Sequence, residues 1–153
     1  MTALVMGIAA ESGHVAAIDT GGAEILQPAG WKRPAGYANG VAVSGRLIFV
    51  SGQIGWDAQQ VFRSSDLVDQ VRQALANVVT VLAAGGALPE HIVRLNWYLA
   101  DKTEYKVRRV EIGEVYRELI GNHYPAMTAV QVCEFIEDGA CVELEVTAVI
   151  PLG

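Results

Sequence analysis

The segment CVELEVTAVI, Cys141 to Ile150, alternates apolar and polar residues with a period of two. As a strand, it sends Val142, Leu144, Val146 and Ala148 to one face and Glu143, Glu145 and Thr147 to the other, because successive strand side chains point to opposite sides. The apolar set requires a core. The two carboxylates need water, a partner or something to act on.

Working outward, HIVRLNWYL (His91–Leu99) repeats the alternation, with Val93, Leu95, Trp97 and Leu99 on one side and Arg94, Asn96 and Tyr98 on the other. PAMTAVQVCEF (Pro125–Phe135) predicts another strand, joined to the last by the acidic turn IEDGA. A helix is predicted over about Ser65 to Ala84, with Ser64, Ser65 and Asp66 as start signals and Gly85–Gly86 as the stop. Its stripe is Leu67, Val71, Ala74, Leu75, Val78 and Leu82, opposite Asp69, Gln70, Arg72, Gln73, Asn77 and Thr80. A second helix is predicted from about Thr103 to Ile120, ending at Gly121.

Nearer the start, VAVSGRLIFVSG (Val41–Gly52) holds two β-rich runs divided by Ser44–Gly45, the pattern of a two-residue hairpin. Leu47–Val50 is apolar without alternation, which predicts a strand buried on both faces. ILQPAGWKRPAGYANG (Ile25–Gly40) reads as a loop-rich entry. Residues 1–22 are small and lack a sustained period, which predicts a mobile leader ahead of one domain over 23–153. The predicted order is β-β-α-β-α-β-β, an α+β layer with a mixed sheet and both helices on one face.

On the sheet face turned away from the apolar set, the pattern places Arg94, Asn96, Tyr98, Met127, Ala129, Gln131, Cys133, Glu143, Glu145 and Thr147. Such a mixed face fits a subunit interface with a wet cleft, and it equally fits a half-exposed antiparallel sheet.

The bulk properties narrow the partners. The chain of 153 residues is 52% hydrophobic and 18% charged, with 11 basic and 17 acidic residues and a net charge of −6. No positive field invites nucleic acid or an anionic membrane. No apolar run is long enough to span a bilayer, and the first residues lack the basic region of a signal peptide. Cys133 and Cys141 are too few for a disulfide framework and are expected as small buried thiols near a hairpin, in a reduced, cytoplasmic protein. His14, His91 and His123 lack metal-ligand spacing and are expected in surface or capping roles. No phosphate-binding glycine motif or nucleophile elbow is present, and no cofactor is expected.

YANGV, FVSGQIGWD, QVRQALANVVTVLAAGGA, HIVRLNWYLAD, YPAMTAVQV and VELEVTAV follow one another at spacings that resemble the Rid family of reactive intermediate deaminases, also called the YjgF or endoribonuclease L-PSP family. The resemblance spans roughly Ile25 to Ile150. It implies a homotrimer of chorismate-mutase-like subunits with three small-molecule clefts between them. It also implies that Glu143 holds the attacking water for hydrolysis of an enamine or imine to a ketone and ammonia, chemistry that needs a proton donor, a positioned water and a base. By the residues alone, Glu143 also fits a rim carboxylate or a partner of Arg94. Glu145 carries no matching role and is expected as an interface salt-bridge partner. Tyr37, Ser51 and Gly52 match the family's other cleft residues, with Ser51 and the backbone at Gly52 orienting the substrate and Tyr37 closing one side. Packing by Tyr37 and a turn at Gly52 are the plain structural alternatives.

Three positions depart from the family pattern. Met127 stands where deaminating members carry an arginine that would clamp the substrate carboxylate, Gly113 where an asparagine is expected, and Ala129 where a small residue's carbonyl helps hold the water. Loss of a buried charge-assisted pair removes about 2–5 kcal/mol, a few orders of magnitude in recognition. Met127, with Trp56 and Tyr37 expected nearby, favours a more apolar or aromatic ligand, or else merely fills an inactive cleft. RNA cleavage would call for basic residues beside stacking aromatics, and Lys32–Arg33 and Arg108–Arg109 are only two short pairs. The expectation is a Rid-like hydrolase of an enamine or imine metabolite other than a standard 2-iminoacid. The alternative is a noncatalytic small-molecule-binding trimer that uses the same cleft.

Overall fold

In the computed structural model, which describes residues 22–152, the chain runs β1 (Glu24–Leu26), β2 (Gly40–Ala42), β3 (Arg46–Ile54), α1 (Leu67–Ala84), a 3₁₀ turn (Pro89–His91), β4 (Ile92–Leu99), α2 (Lys102–Val107), α3 (Arg109–Leu119), β5 (Ala126–Gln131) and β6 (Val142–Ile150). The expected leader lies outside the described residues, apart from Gly22. A four-stranded sheet of order β3-β6-β4-β5 carries the fold, with β1 and β2 forming a separate antiparallel pair. β6 is antiparallel to both β3 and β4, while β5 lies parallel to β4, so the sheet is mixed as expected.

The alternation of β6 holds. Val142, Leu144, Val146 and Ala148 are buried in one core with Leu95, Trp97 and Leu99 of β4 and the whole predicted stripe of α1. Burial of each such Val or Leu stabilises the fold by about 1.5–3 kcal/mol. α1 begins where Asp66 caps it, its Oδ1 accepting from the N–H groups of Val68 (2.8 Å) and Asp69 (3.2 Å). Gln70 sits on the solvent side of the sequence pattern, yet it is fully buried. Its amide donates to the carbonyls of Ser64 (3.0 Å) and Gly139 (2.8 Å) and accepts from Cys141 N–H (2.8 Å), tying the helix to the loop before β6.

Several expectations are corrected. The runs beside Ser44–Gly45 do not pair with each other, because β2 pairs with β1 and β3 pairs with β6 from Arg46↔Ile150 onward. Nor do β5 and β6 form a hairpin, since β4 lies between them. Cys133 is exposed and Cys141 only half-buried, so neither is a fully buried thiol, although burial still pushes the Cys141 thiol up. Leu47–Val50 is not buried on both faces: Val50 is buried, whereas Leu47 is 55% and Phe49 74% exposed. Their stretch lacks alternation because its second face is apolar yet uncovered in the protomer. The pairing of β4 with β6 shifts between Ile92 and Arg94, so Ile92 rather than Val93 completes the buried stripe.

The second predicted helix is broken at Arg108, whose backbone (φ −89°, ψ 7°) caps α2 and precedes α3. Its guanidinium donates to both Glu111 oxygens (2.6 and 2.8 Å) and to Asp66 Oδ2 (2.9 Å), pinning the break to the start of α1. His91 takes the expected capping role, its Nδ1 accepting from Leu88 N–H at 2.9 Å.

Candidate functional site

Facing residues in a β ladder share a side of the sheet. Met127 pairs with Leu95 and Ala129 with Trp97, so both belong to the helix side with the buried stripe of β4. Gln131, opposite Leu99, follows them. The expected mixed face therefore loses Met127, Ala129 and Gln131, while Thr128 and Val130, opposite Asn96 and Tyr98, take their place. The inversion arises because the phase of an edge strand rests on its pairing, which a short exposed segment does not reveal. The candidate residues consequently divide between two concavities on opposite sides of the sheet.

The first is an acidic cleft of about 300 Å³ on the open face, lined by Gly52, Tyr98, Val132, Glu134, Phe135, Glu143 and Glu145. A bulge shapes it. β3 pairs Val50 with Val146 and Gln53 with Leu144, so Ser51 and Gly52 together stand opposite Glu145. The extra residue bends the strand and re-aims its neighbours. The Glu143 side chain lies against the Gly52 backbone: a Cβ at residue 52 would sit 2.6 Å from Glu143 Cδ and closer still to Oε1. Glycine here lets the Glu143 carboxylate lie against the backbone, and a side chain at residue 52 would displace it.

The two carboxylates of the opening segment have different lives. Glu145 Oε2 accepts from Asn96 Nδ2 and Tyr98 Oη, each at 3.0 Å, and those bonds hold its carboxyl below the usual range. The same contact raises the Tyr98 phenol. Glu143 accepts no hydrogen bond from any other side chain among the described residues, nor does it pair with Arg94, which leaves its oxygens for a guest. Ser51 does not line the cleft: it is exposed beside Gly52, and its Oγ accepts from Gln53 Nε2 at 3.4 Å.

The second concavity, about 770 Å³, lies on the helix side between α3, β5 and the segment before β2. Tyr37, Gly113, Met127 and Ala129 all line it. Trp56 does not: it packs against Phe62 with ring centroids 6.0 Å apart. The aromatic wall comes from residues not singled out for it, Trp97, Tyr105, Tyr116 and Tyr124. Trp97 meets Tyr105 at 6.0 Å and Tyr116 at 6.5 Å, and Tyr116 stacks on Tyr124 at 5.7 Å. The Tyr116 hydroxyl donates to His123 C=O at 2.7 Å, and burial raises its phenol. Arg109 and Arg117 complete the lining. Their spacing with Gly113, four residues to either side, was visible in the sequence as one helix face. Only the placement of that face against β5 was hidden.

Among the described residues no helix is long and apolar enough to cross a membrane, and no cluster of three or more His, Cys, Asp or Glu could hold a metal ion.

Residues 31–150 match the family described as Endoribonuclease L-PSP. The chain is 30% identical over 117 residues to a RutC family protein of Pyrococcus horikoshii, covering 76% of this chain and 89% of that one. It is also 30% identical over 114 residues to the human 2-iminobutanoate/2-iminopropanoate deaminase, covering 74% and 79%. Among solved structures, the Rid-family protein YyfB of Yersinia pestis superposes with a TM-score of 0.75 at 26% identity, over 84% of this chain and 99% of the other. RidA of an Antarctic Psychrobacter gives a TM-score of 0.60 at 28% identity, over 78% and 94%.

Proposed function

This chain belongs to the Rid (YjgF, endoribonuclease L-PSP) family, and from that premise we propose that it is a hydrolytic deaminase of an enamine or imine metabolite, assembled as a homotrimer in the cytoplasm. The single observation that carries the chemistry is Glu143: its carboxylate lies over the Gly52 bulge with no side-chain donor occupying it, while its neighbour Glu145 is tied to Asn96 and Tyr98. Relatives named as iminobutanoate and iminopropanoate deaminases support the reaction class.

In this reading Glu143 takes one proton from a water as the water oxygen bonds to the C=N carbon, and passes that proton to the nitrogen to give a carbinolamine. Glu143 then takes the hydroxyl proton and delivers it to the nitrogen as the C–N bond breaks, leaving the carbonyl and ammonia. Ser51 and the Gly52 backbone orient the substrate. The acidic cleft of one protomer meets the Tyr37–Met127–Ala129 cavity of the next, so that neither half turns over substrate alone. The uncovered Leu47 and Phe49, on the same face as Glu143, support such packing, because a large exposed apolar patch marks an interaction surface.

Met127 argues for a substrate other than the small iminoacids of the deaminases above. It also favours the competing reading, a binding trimer without turnover. Ammonia release from a panel of enamines and imines generated in situ decides between them. The wild type releases ammonia, and Glu143→Gln lowers the rate by about a hundredfold or more with the assembly intact. An unchanged rate in that variant removes the mechanism. Ligand binding without ammonia release from the wild type hands the cleft to the binding reading.

A further inference from the structure

The cavity that contains Met127 carries two guanidinium groups that no carboxylate among the described residues pairs with. Arg109 and Arg117 line it from α3, four residues either side of Gly113. Arg63 pairs with Asp57 and Arg72 with Glu118 at 2.6 Å, and Arg108 pairs with Asp66 and Glu111, whereas Arg109 and Arg117 stand together in one cavity without such a partner. Among the described residues neither Arg109 nor Arg117 has a carboxylate within ion-pairing distance. In a chain of net charge −6, this is a local reversal of sign.

Gly113 gives that reversal a shape. A Cβ at residue 113 would lie 3.3 Å from Arg117 Nη1, so the guanidinium lies beside the space that a side chain at 113 would enter. The backbone of Gly113 is ordinary helix, and a glycine inside a helix destabilises it relative to alanine. Gly113 therefore serves no turn, and it leaves room beside Arg117. Trp97, Tyr116 and Tyr124 also line the cavity, with Tyr116 stacked on Tyr124 and Trp97 tilted against Tyr116, so their ring edges and faces give it an aromatic side. The Tyr116 hydroxyl is already committed to His123 C=O. A volume of about 770 Å³ exceeds the needs of a two- or three-carbon acid.

We infer that this cavity binds a carboxylate with a flat, aromatic body, and that Arg117, seated over Gly113, supplies the cationic clamp from α3. The guanidinium fork matches a carboxylate bidentately, Arg109 adds a second positive charge, and the rings stack on the aromatic wall. This rests on the cavity being one half of the proposed site, and it names the class of ligand that site takes. It also gives Met127 a role as an apolar floor, with the charge moved from the strand to the helix.

The test compares phenylacetate with phenylacetamide, its neutral counterpart, and with acetate, which lacks the ring, by calorimetry on the assembled protein. The wild type binds phenylacetate at least tenfold more tightly than either. Arg117→Gln erases the preference for acid over amide and leaves the affinity for phenylacetamide within about twofold. Equal affinity for acid and amide in the wild type, or an undiminished preference in Arg117→Gln, overturns the inference.

The hydrolase reading is tested separately in the same samples. Glu143→Gln retains phenylacetate binding and loses ammonia release. A result in which Arg117→Gln abolishes the acid preference while Glu143→Gln leaves turnover intact sinks the mechanism and keeps the clamp. The opposite pair of results sinks the clamp alone.

Discussion

The acidic cleft and the aromatic cavity lie on opposite sides of the same four strands and are built by opposite means. In the cleft a backbone irregularity sets the geometry: the Ser51–Gly52 bulge, close packing of Glu143 on a glycine, and a neighbouring carboxylate held by Asn96 and Tyr98. In the cavity side chains create the surface: α3 and β5 meet the segment before β2, and Trp97, Tyr105 and Tyr124 add aromatic area. The cleft offers uncommitted negative charge suited to moving a proton. The cavity offers positive charge and aromatic area suited to holding a ligand. Two such halves on opposite faces of one sheet cannot act on one small molecule within a protomer. The difference is what the proposed site turns on: chemistry on one surface and recognition on another, joined by a second copy.

The largest effect expected is on that joining. Phe49 is 74% exposed in the protomer, so Phe49→Glu should leave helix content unchanged while shifting sedimentation from trimer to monomer. An unpaired charge buried in an interface costs about 3–5 kcal/mol. A variant that sediments as the wild type does would detach the open face from assembly.

Next in size, Gly52→Ala drives a Cβ into Glu143 while leaving the aromatic cavity untouched. Steady-state kinetics should show turnover down by about tenfold to hundredfold, the range of a small misplacement of a reacting group, with phenylacetate affinity preserved. A parallel fall in affinity would show that the two halves are not separable.

Met127→Arg sharpens the comparison from the other side by restoring a cation to β5. Hydrolysis of iminoacids from small amino acids should rise by about one to two orders of magnitude at most, since the surroundings were not shaped for that guanidinium. The single variant should gain less than Met127→Arg combined with Arg117→Gln, because two like charges otherwise compete for one cavity. No gain in either, with the trimer intact, would mean that Met127 does not face the reacting substrate.

The smallest effect lies outside both halves. Arg108, followed by the Asp69 N–H, holds the Asp66 carboxyl below its ordinary value of 3.8. A depressed folded value gives stability that is present above 3.8 and is lost as pH falls through the lower folded value. Asp66→Ala should therefore lower stability at neutral pH by about 1 kcal/mol, as expected for a lost helix cap, with neither half-site changed. Urea titrations across the acid range should show that deficit shrinking as pH drops below 3.8. A deficit independent of pH would place the effect outside the Arg108 contact.

What was legible in the sequence follows the reach of each interaction. The alternation of β6 and most of β4, and the stripe of α1, are local periodicities, and they locate the core residue by residue. The carboxylate pair was equally visible. The choice of strand partners was not: β2 joins β1, and β5 runs parallel beside β4 instead of pairing with β6. A one-residue error of phase in β5 was enough to move Met127 and Ala129 to the wrong side of the sheet. Gln70 carries a polar letter on a polar stripe and yet is buried, because three backbone groups brought from Ser64, Gly139 and Cys141 satisfy it. The break at Arg108 depends on a contact with Asp66 across 42 residues of chain, which no window of helix propensity contains.

The direct test of a site shared between protomers is complementation. Glu143→Gln removes the reacting carboxylate, and Ala129→Trp fills the aromatic cavity from an exposed strand position without touching the cleft. Each variant alone should be inactive in ammonia release. When the two are unfolded together and reassembled at equal concentration, a ring of subunits restores an intact pairing at about a quarter of the interfaces. The account predicts ammonia release near that fraction of the wild-type rate. A mixed sample as inactive as its parents, with mixed assemblies demonstrated by mass, would contradict it.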